Sequence, residues 1–161
     1  MIRPATVADA GALAAIYNHY VATTTISFEE EAVSDTEMGR RVAEVTASVA
    51  WLVHEADGVV LGYAYATPWR ARSAYRFSVE STVYVAPGLG RRGIGAGLYR
   101  ALVEVLRGQG RRVVIGGIAL PNAASVALHE ALGFEKVAHF KQVGCKFGQW
   151  IDVAYWELAL A

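Results

Sequence analysis

Apolar and polar positions change their period several times along the chain, and each change predicts an element. Ile2-Arg3-Pro4 reads as a short opening strand. Thr6 can cap a helix over residues 7–21, with Ala10, Leu13, Ile16, Tyr17 and Tyr20 along one face. A shorter helix follows Ser34, over residues 35–46. Residues 50–55 and 59–67 are strand-like, and Asp57-Gly58 between them is a hairpin signal. In residues 76–85, Phe77, Val79, Ser81, Val83 and Val85 share one face, and Glu80, Thr82 and Tyr84 the other. Residues 94–107 return to a helical period and run into Gly108 and Gly110. Residues 113–118 read as a buried strand, residues 122–132 as a helix ended by Gly133, and residues 134–140 and 153–160 as closing strands. The predicted order is β-α-α-β-β-β-α-β-α-β-β. A mixed α/β (α+β) fold with a partly antiparallel sheet fits it better than a doubly wound parallel sheet. No linker, low-complexity tract or repeat divides the chain, so one domain is expected over residues 1–161.

Composition narrows the classes. With 54% hydrophobic and 19% charged residues, the 161-residue chain is ordered and can build a core. Fifteen Lys+Arg balance fifteen Asp+Glu, which argues against a nucleic-acid partner. A single cysteine excludes an intramolecular disulfide framework, and no histidine spacing suggests a metal site. No apolar run reaches the ~18 residues a membrane helix needs. The first ten residues lack the basic region and apolar block of a signal peptide, so a cytoplasmic protein without a membrane partner is expected. Charge is uneven: residues 1–60 hold three basic and nine acidic residues, and the rest twelve basic and six acidic. Basic residues cluster at Arg70, Arg72 and Arg76 and at Arg91-Arg92, the latter inside a glycine-rich turn, which favours a small anionic ligand.

That turn, Gly88-Leu-Gly-Arg-Arg-Gly-Ile-Gly-Ala-Gly97, joins a predicted strand to a predicted helix. Glycine lets backbone approach a ligand, and a helix start offers unpaired N–H groups to an anion. Three ligand readings compete with a turn that needs glycine for geometry alone. Gly88, Gly90 and Gly93 match G-x-G-x-x-G, but the following strand ends in Gly116-Gly117 with no acid for a ribose. A Walker A loop needs Lys after Gly93, where Ile94 stands. The third is the acyl-CoA pyrophosphate turn of the GNAT acetyltransferases, which the segment resembles at Gly93 and Gly95. Gly90 stands where that motif has Gln or Arg, so the cradle rests on backbone amides from Arg91 to Ala96.

The resemblance extends further. Residues 65–75 (YATPWRARSAY), 80–85 (ESTVYV), 118–134 (IALPNAASVALHEALGF) and 144–153 (GCKFGQWIDV) are similar to the phosphinothricin and methionine sulfoximine acetyltransferases. The resemblance implies the GNAT acyl-CoA N-acyltransferase fold, a mostly antiparallel sheet flanked by helices. It also implies a homodimer and acetyl transfer from acetyl-CoA, in a ternary complex, to the α-amine of a small amino acid such as phosphinothricin, methionine sulfoximine or methionine sulfone. Alternatives are another amine acceptor (a protein N-terminus or a polyamine) and a CoA-binding regulatory module without catalysis.

By the same resemblance, Glu80 is the general base, directly or through water. The bland alternative is a surface glutamate paired with an arginine. Val83, Tyr84 and Val85 line the pantetheine arm, with the backbone amides of Val83 and Val85 pairing to it. Arg91, Arg92, Gly93, Ile94, Gly95 and Ala96 cradle the pyrophosphate. Asn122 caps the next helix and reaches cofactor atoms. His129 stands where many GNAT enzymes have tyrosine, and an imidazole there suits protonation of the CoA thiolate or a satisfied helix histidine. Arg72, Ser73, Ala74 and Tyr75 bind the acceptor, Arg72 offering a fork to a carboxylate or phosphinate. Phe28 supplies an aromatic wall, and Glu29-Glu30-Glu31 beside it is expected to meet the ammonium end. Cys145 is expected to be a buried small side chain rather than a nucleophile.

Overall fold

A computed structural model describes residues 1–161. Its strands are β1 (Ile2–Pro4), β2 (Ala50–Ala56), β3 (Val59–Pro68), β4 (Ser78–Val85), β5 (Val113–Ala119), β6 (Glu135–Lys146) and β7 (Gln149–Ala159). Its helices are α1 (Ala10–Thr23), α2 (Asp35–Ser48), α3 (Ile94–Gly108) and α4 (Ala123–Ala131). Their kinds and order match the pattern read from the sequence. The main difference is at the end of the chain. β6 and β7 continue to a two-residue turn at Phe147-Gly148, where φ is +52° and +70°. β6 is the outermost strand and almost wholly exposed, so no apolar alternation announced its second half.

The strands form one sheet in the order β1-β2-β3-β4-β5-β7-β6. Every neighbouring pair is antiparallel except β4 and β5, which are parallel. A parallel pair needs a long crossover, and α3 provides it. The pairing of β4 with β5 stops at Ser81↔Gly116, although β4 runs on to Val85 and β5 to Ala119. Beyond that point the sheet is split.

Each face of the sheet is covered. On one, Leu98, Leu102 and Leu106 of α3 are fully buried against Val79, Val114, Ala154 and Trp156. On the other, Leu13 of α1 and Met38 and Val42 of α2 pack on Trp51, Val53 and Tyr63. The two-residue alternation of β4 divides between these cores: Val79, Ser81, Val83 and Val85 face α3. Tyr84 faces α1, its ring 5.3 Å from Tyr17 and 5.0 Å from Tyr20. Glu80 shares the Tyr84 face. No helix is long and apolar enough to cross a membrane.

Candidate active site

Two clefts meet where the sheet splits. The wider, about 420 Å³, is walled by Ile26 and Phe28 from the loop before α2, by Phe140, Val143, Val153 and Tyr155 from β6 and β7, and by Gly117 and Ala119 of β5. The narrower, about 100 Å³, runs along Ser81–Tyr84 of β4 and is backed by Tyr99, Asn122, Ser125 and His129. Glu80 lines both.

The Glu80 carboxylate is half-buried and has no hydrogen bond or ion pair within the chain. The surface-pair reading therefore fails: Arg70 acts on it only through space. Burial raises its pKa above the ordinary carboxylate range, and Arg70 offsets only part of that. A carboxylate so placed is a stronger base than an exposed one.

The far side of Glu80's strand carries an open edge. Ala86 N–H bonds to Leu61 on β3, so by ladder alternation the amides of Val83 and Val85 face the other way. There β5 has already parted from β4. The Val85 carbonyl is taken by the Tyr20 hydroxyl. This edge leads to Gly93, which has φ +77° and caps α3 without any side-chain partner for the helix's first N–H groups. Ile94, Gly95 and Ala96 follow as its first turn, while Arg91 and Arg92 stand exposed just before it. Asn122 caps α4, its Oδ1 accepting from Ser125 N–H at 3.1 Å, and lines the narrow cleft. An unpaired strand edge ending at an uncapped helix N-terminus fits an extended amide-bearing chain with a terminal pyrophosphate, the form of an acyl-CoA.

His129 is 4% exposed and both ring nitrogens are occupied. Nδ1 lies 2.7 Å from the Ser125 carbonyl and must donate to it, which makes Nε2 the acceptor for the Tyr99 hydroxyl at 2.8 Å. The Tyr99 oxygen in turn lies 2.6 Å from Ser81 Oγ. Burial lowers the His129 pKa, which favours this neutral form. His129 thus stands as a hydrogen-bonded core histidine with no free N–H, on the wall of the narrow cleft. The link from His129 to Tyr99, Ser81 and Gly116 was not visible in the sequence. A buried tyrosine on an otherwise apolar helix face needs a hydroxyl partner, and that was the available signal. A Cβ on Gly116 would lie 2.7 Å from His129 Nε2, so glycine there admits the imidazole.

The loop expected to bind the acceptor lies outside both clefts. Arg72, Ser73, Ala74 and Tyr75 are all exposed and line neither cleft, because the β3–β4 hairpin ends at Pro68↔Val79 and carries them beyond the sheet. Arg70 is the cation whose field reaches Glu80 and Tyr155; it lies over the Trp69 ring, which packs edge-on to Tyr155 at 5.7 Å. Phe28 does wall the wider cleft. Glu29 does not face it. Arg41 holds Glu29 bidentately at 2.7 and 2.9 Å, and the Tyr17 hydroxyl donates to it. Cys145 is exposed, not buried.

The GNAT acetyltransferase domain matches residues 2–155 of the chain. A phosphinothricin N-acetyltransferase of Streptomyces viridochromogenes is 44% identical over 156 residues, 97% of this chain and 85% of that protein. A methionine sulfoximine/methionine sulfone acetyltransferase of Salmonella typhimurium is 39% identical, covering 99% of this chain and 94% of that one. A Sinorhizobium meliloti phosphinothricin acetyltransferase, solved with acetyl-CoA, superposes with a TM-score of 0.96 at 36% identity, covering 100% of this chain and 88% of that one. The chain belongs to the GNAT acetyltransferases and is an N-acetyltransferase.

Replacing Glu80 separates activity from stability. Its folded pKa is raised, so its contribution to stability is full below the unfolded pKa and is lost as pH rises through the folded value. At pH 7 Glu80→Gln is expected to raise the melting temperature while lowering turnover by ~10²–10⁴. It should also remove the acidic limb of the pH–rate profile, whose midpoint lies above the ordinary carboxylate range. Wild-type turnover in the variant, measured by CoA release, would make Glu80 structural.

Proposed function

We propose that this enzyme moves acetyl from acetyl-CoA to the α-amine of a small amino acid of the phosphinothricin, methionine sulfoximine or methionine sulfone type, with both substrates bound together. The observation that carries this reading is Glu80, an unpaired half-buried carboxylate shared by two clefts of different character. The names of the relatives support the acceptor class.

The open edge of Val83, Tyr84 and Val85, the amides from Arg91 to Ala96, and Asn122 hold the acyl-CoA. When bound, acetyl-CoA supplies an activated acetyl carbonyl. The acceptor's amine end enters from the wider cleft, whose nine lining residues include seven hydrophobic ones, suiting the methylene stem of such an amino acid. Glu80 takes one proton from the ammonium, directly or through one water, and leaves the amine neutral for attack; as the new C–N bond forms the thioester C–S bond breaks, and the second proton lost by nitrogen balances the departing sulfur, so that CoA leaves as the thiol. Cys145 is exposed and lines neither cleft, which supports direct transfer over an acyl-thiol route. Arg70 gives the cleft mouth a positive field for the acceptor's carboxylate. The enzyme acts in the cytoplasm as a homodimer. The exposed apolar side chains Phe140, Phe147 and Trp150 on the β6–β7 hairpin support an interface.

A panel of amines assayed by CoA release tests the acceptor. Phosphinothricin, methionine sulfoximine or methionine sulfone is expected to be turned over, and polyamines and peptide N-termini poorly. In the same preparation, acetyl-CoA at a hundredfold over its Kd should stabilise the fold by ~2.7 kcal/mol, with no comparable shift from NAD or ATP. Acetyl-CoA stabilisation without turnover of any amine would instead support a binding module.

Arg70→Ala should raise the acceptor KM about 2- to 5-fold, the scale of an exposed charge interaction. Arg72→Ala should stay within about twofold of wild type in the same steady-state assay. The reverse ranking would return the acceptor's carboxylate to Arg72. Light scattering at micromolar concentration should give twice the 17.3 kDa chain mass, and a fully active monomer would reject the dimer.

A further inference from the structure

The wider cleft opens between two segments distant in sequence: the loop carrying Ile26 and Phe28, and the hairpin strand carrying Phe140 and Val143. One hydrogen bond joins them, from Lys146 Nζ to the Ser27 carbonyl at 2.7 Å. Lys146 is 1% exposed, among the most buried side chains of the molecule. Burying an ammonium is costly without partners, and this one has a single carbonyl and, 5.1 Å away, the Phe147 ring. Burial pushes its pKa down, and Glu30 and Glu29, acting through space, offset only part of that.

Beside this bond the two segments touch. A Cβ on Gly144 would lie 2.4 Å from the Phe28 ring, so the ring occupies the space that any side chain at 144 would fill. The other side of the loop is held separately. Ser27 Oγ lies 2.7 Å from the Tyr17 hydroxyl, and Arg41 grips Glu29. Ser27 and Glu29 thus fix the loop from α1 and α2, while Lys146 and Gly144 fix it from β6. Ile26 and Phe28, between those anchors, line the cleft.

We propose that Lys146 is a positioning residue for the acceptor: by holding Ser27 it keeps Phe28 seated on Gly144 and sets the width of the acceptor cleft's mouth. This rests on the wider cleft being the acceptor side. Lys146 itself touches neither cleft, so its effect passes through Phe28.

Lys146→Met keeps the buried stem and removes the ammonium. The acceptor KM should rise about 3- to 10-fold, the scale of one lost hydrogen bond, while the acetyl-CoA KM stays within about twofold. Amide hydrogen exchange in residues 24–31 should quicken, with residues 94–108 of α3 unchanged. Gly144→Ala keeps Lys146 but displaces the Phe28 ring, and should give the same acceptor-selective change, which covers the case in which Lys146→Met does not fold. Equal rises in both KM values, or unchanged exchange in residues 24–31, would overturn the proposal. A wild-type enzyme that acetylates no amine in this assay would reject the acceptor reading instead, and the exchange measurement would still decide whether Lys146 holds the loop.

Discussion

The parting of β4 from β5 after Ser81↔Gly116 is the constraint on which the rest of the molecule depends. It occurs in the sheet's one parallel pair. Such a pair must be joined by a crossover, so the chain leaves the carboxyl end of β4, turns, and starts α3 beside the opening it has just made. The glycine turn, the uncapped helix start and the free edge of Val83 and Val85 therefore belong to one local geometry. Two side chains occupy the region next to the split: His129 over Gly116 and Tyr155 over Gly117, each at a distance that a Cβ would close to under 3 Å. Glycine on β5 is thus a packing requirement of the site.

Glu80 departs from a rule that the other sheltered acids obey. Asp9, Glu29, Glu37, Glu55 and Asp152 are buried or half-buried, and each is paired with an arginine or a histidine. Glu80 has no such partner, and desolvation outweighs the opposing field of Arg70. A carboxylate left unpaired costs folding energy and gains basicity by the same physical effect. The opposite choice is made one residue away, where Ser81, Tyr99 and His129 satisfy one another completely. The strand thus sets a reactive group and a rigid buried network back to back on its two faces.

Most of the architecture was legible in the chain because elements flanked by solvent on one side must alternate. The helices and inner strands announced themselves by period, and Asp57-Gly58 and Gly133 by turn chemistry. The hairpin end at Phe147-Gly148 stayed hidden because β6 is an edge strand with nearly no buried face, and periodicity records burial. Resemblance singled out Glu80 and Phe28, and both line the wider cleft. The loop of Arg72 was placed in the acceptor site on the same grounds, yet the hairpin carries it past the cleft.

Resemblance supplied the candidate base, and the sequence by itself determined the order of elements and the glycine turn before α3. These depend on local period, on backbone freedom and on residue type, all carried by short stretches of chain. Tertiary structure alone decided which polar groups found partners. Glu29 was lost to Arg41 across 12 residues, and His129 to Tyr99 across 30. Lys146 was drawn to Ser27 across 119. Whether a carboxylate is a base or a salt bridge, or an imidazole an acid or a spacer, depends on what stands within about 3 Å, and distances of that kind exist only once the chain has folded.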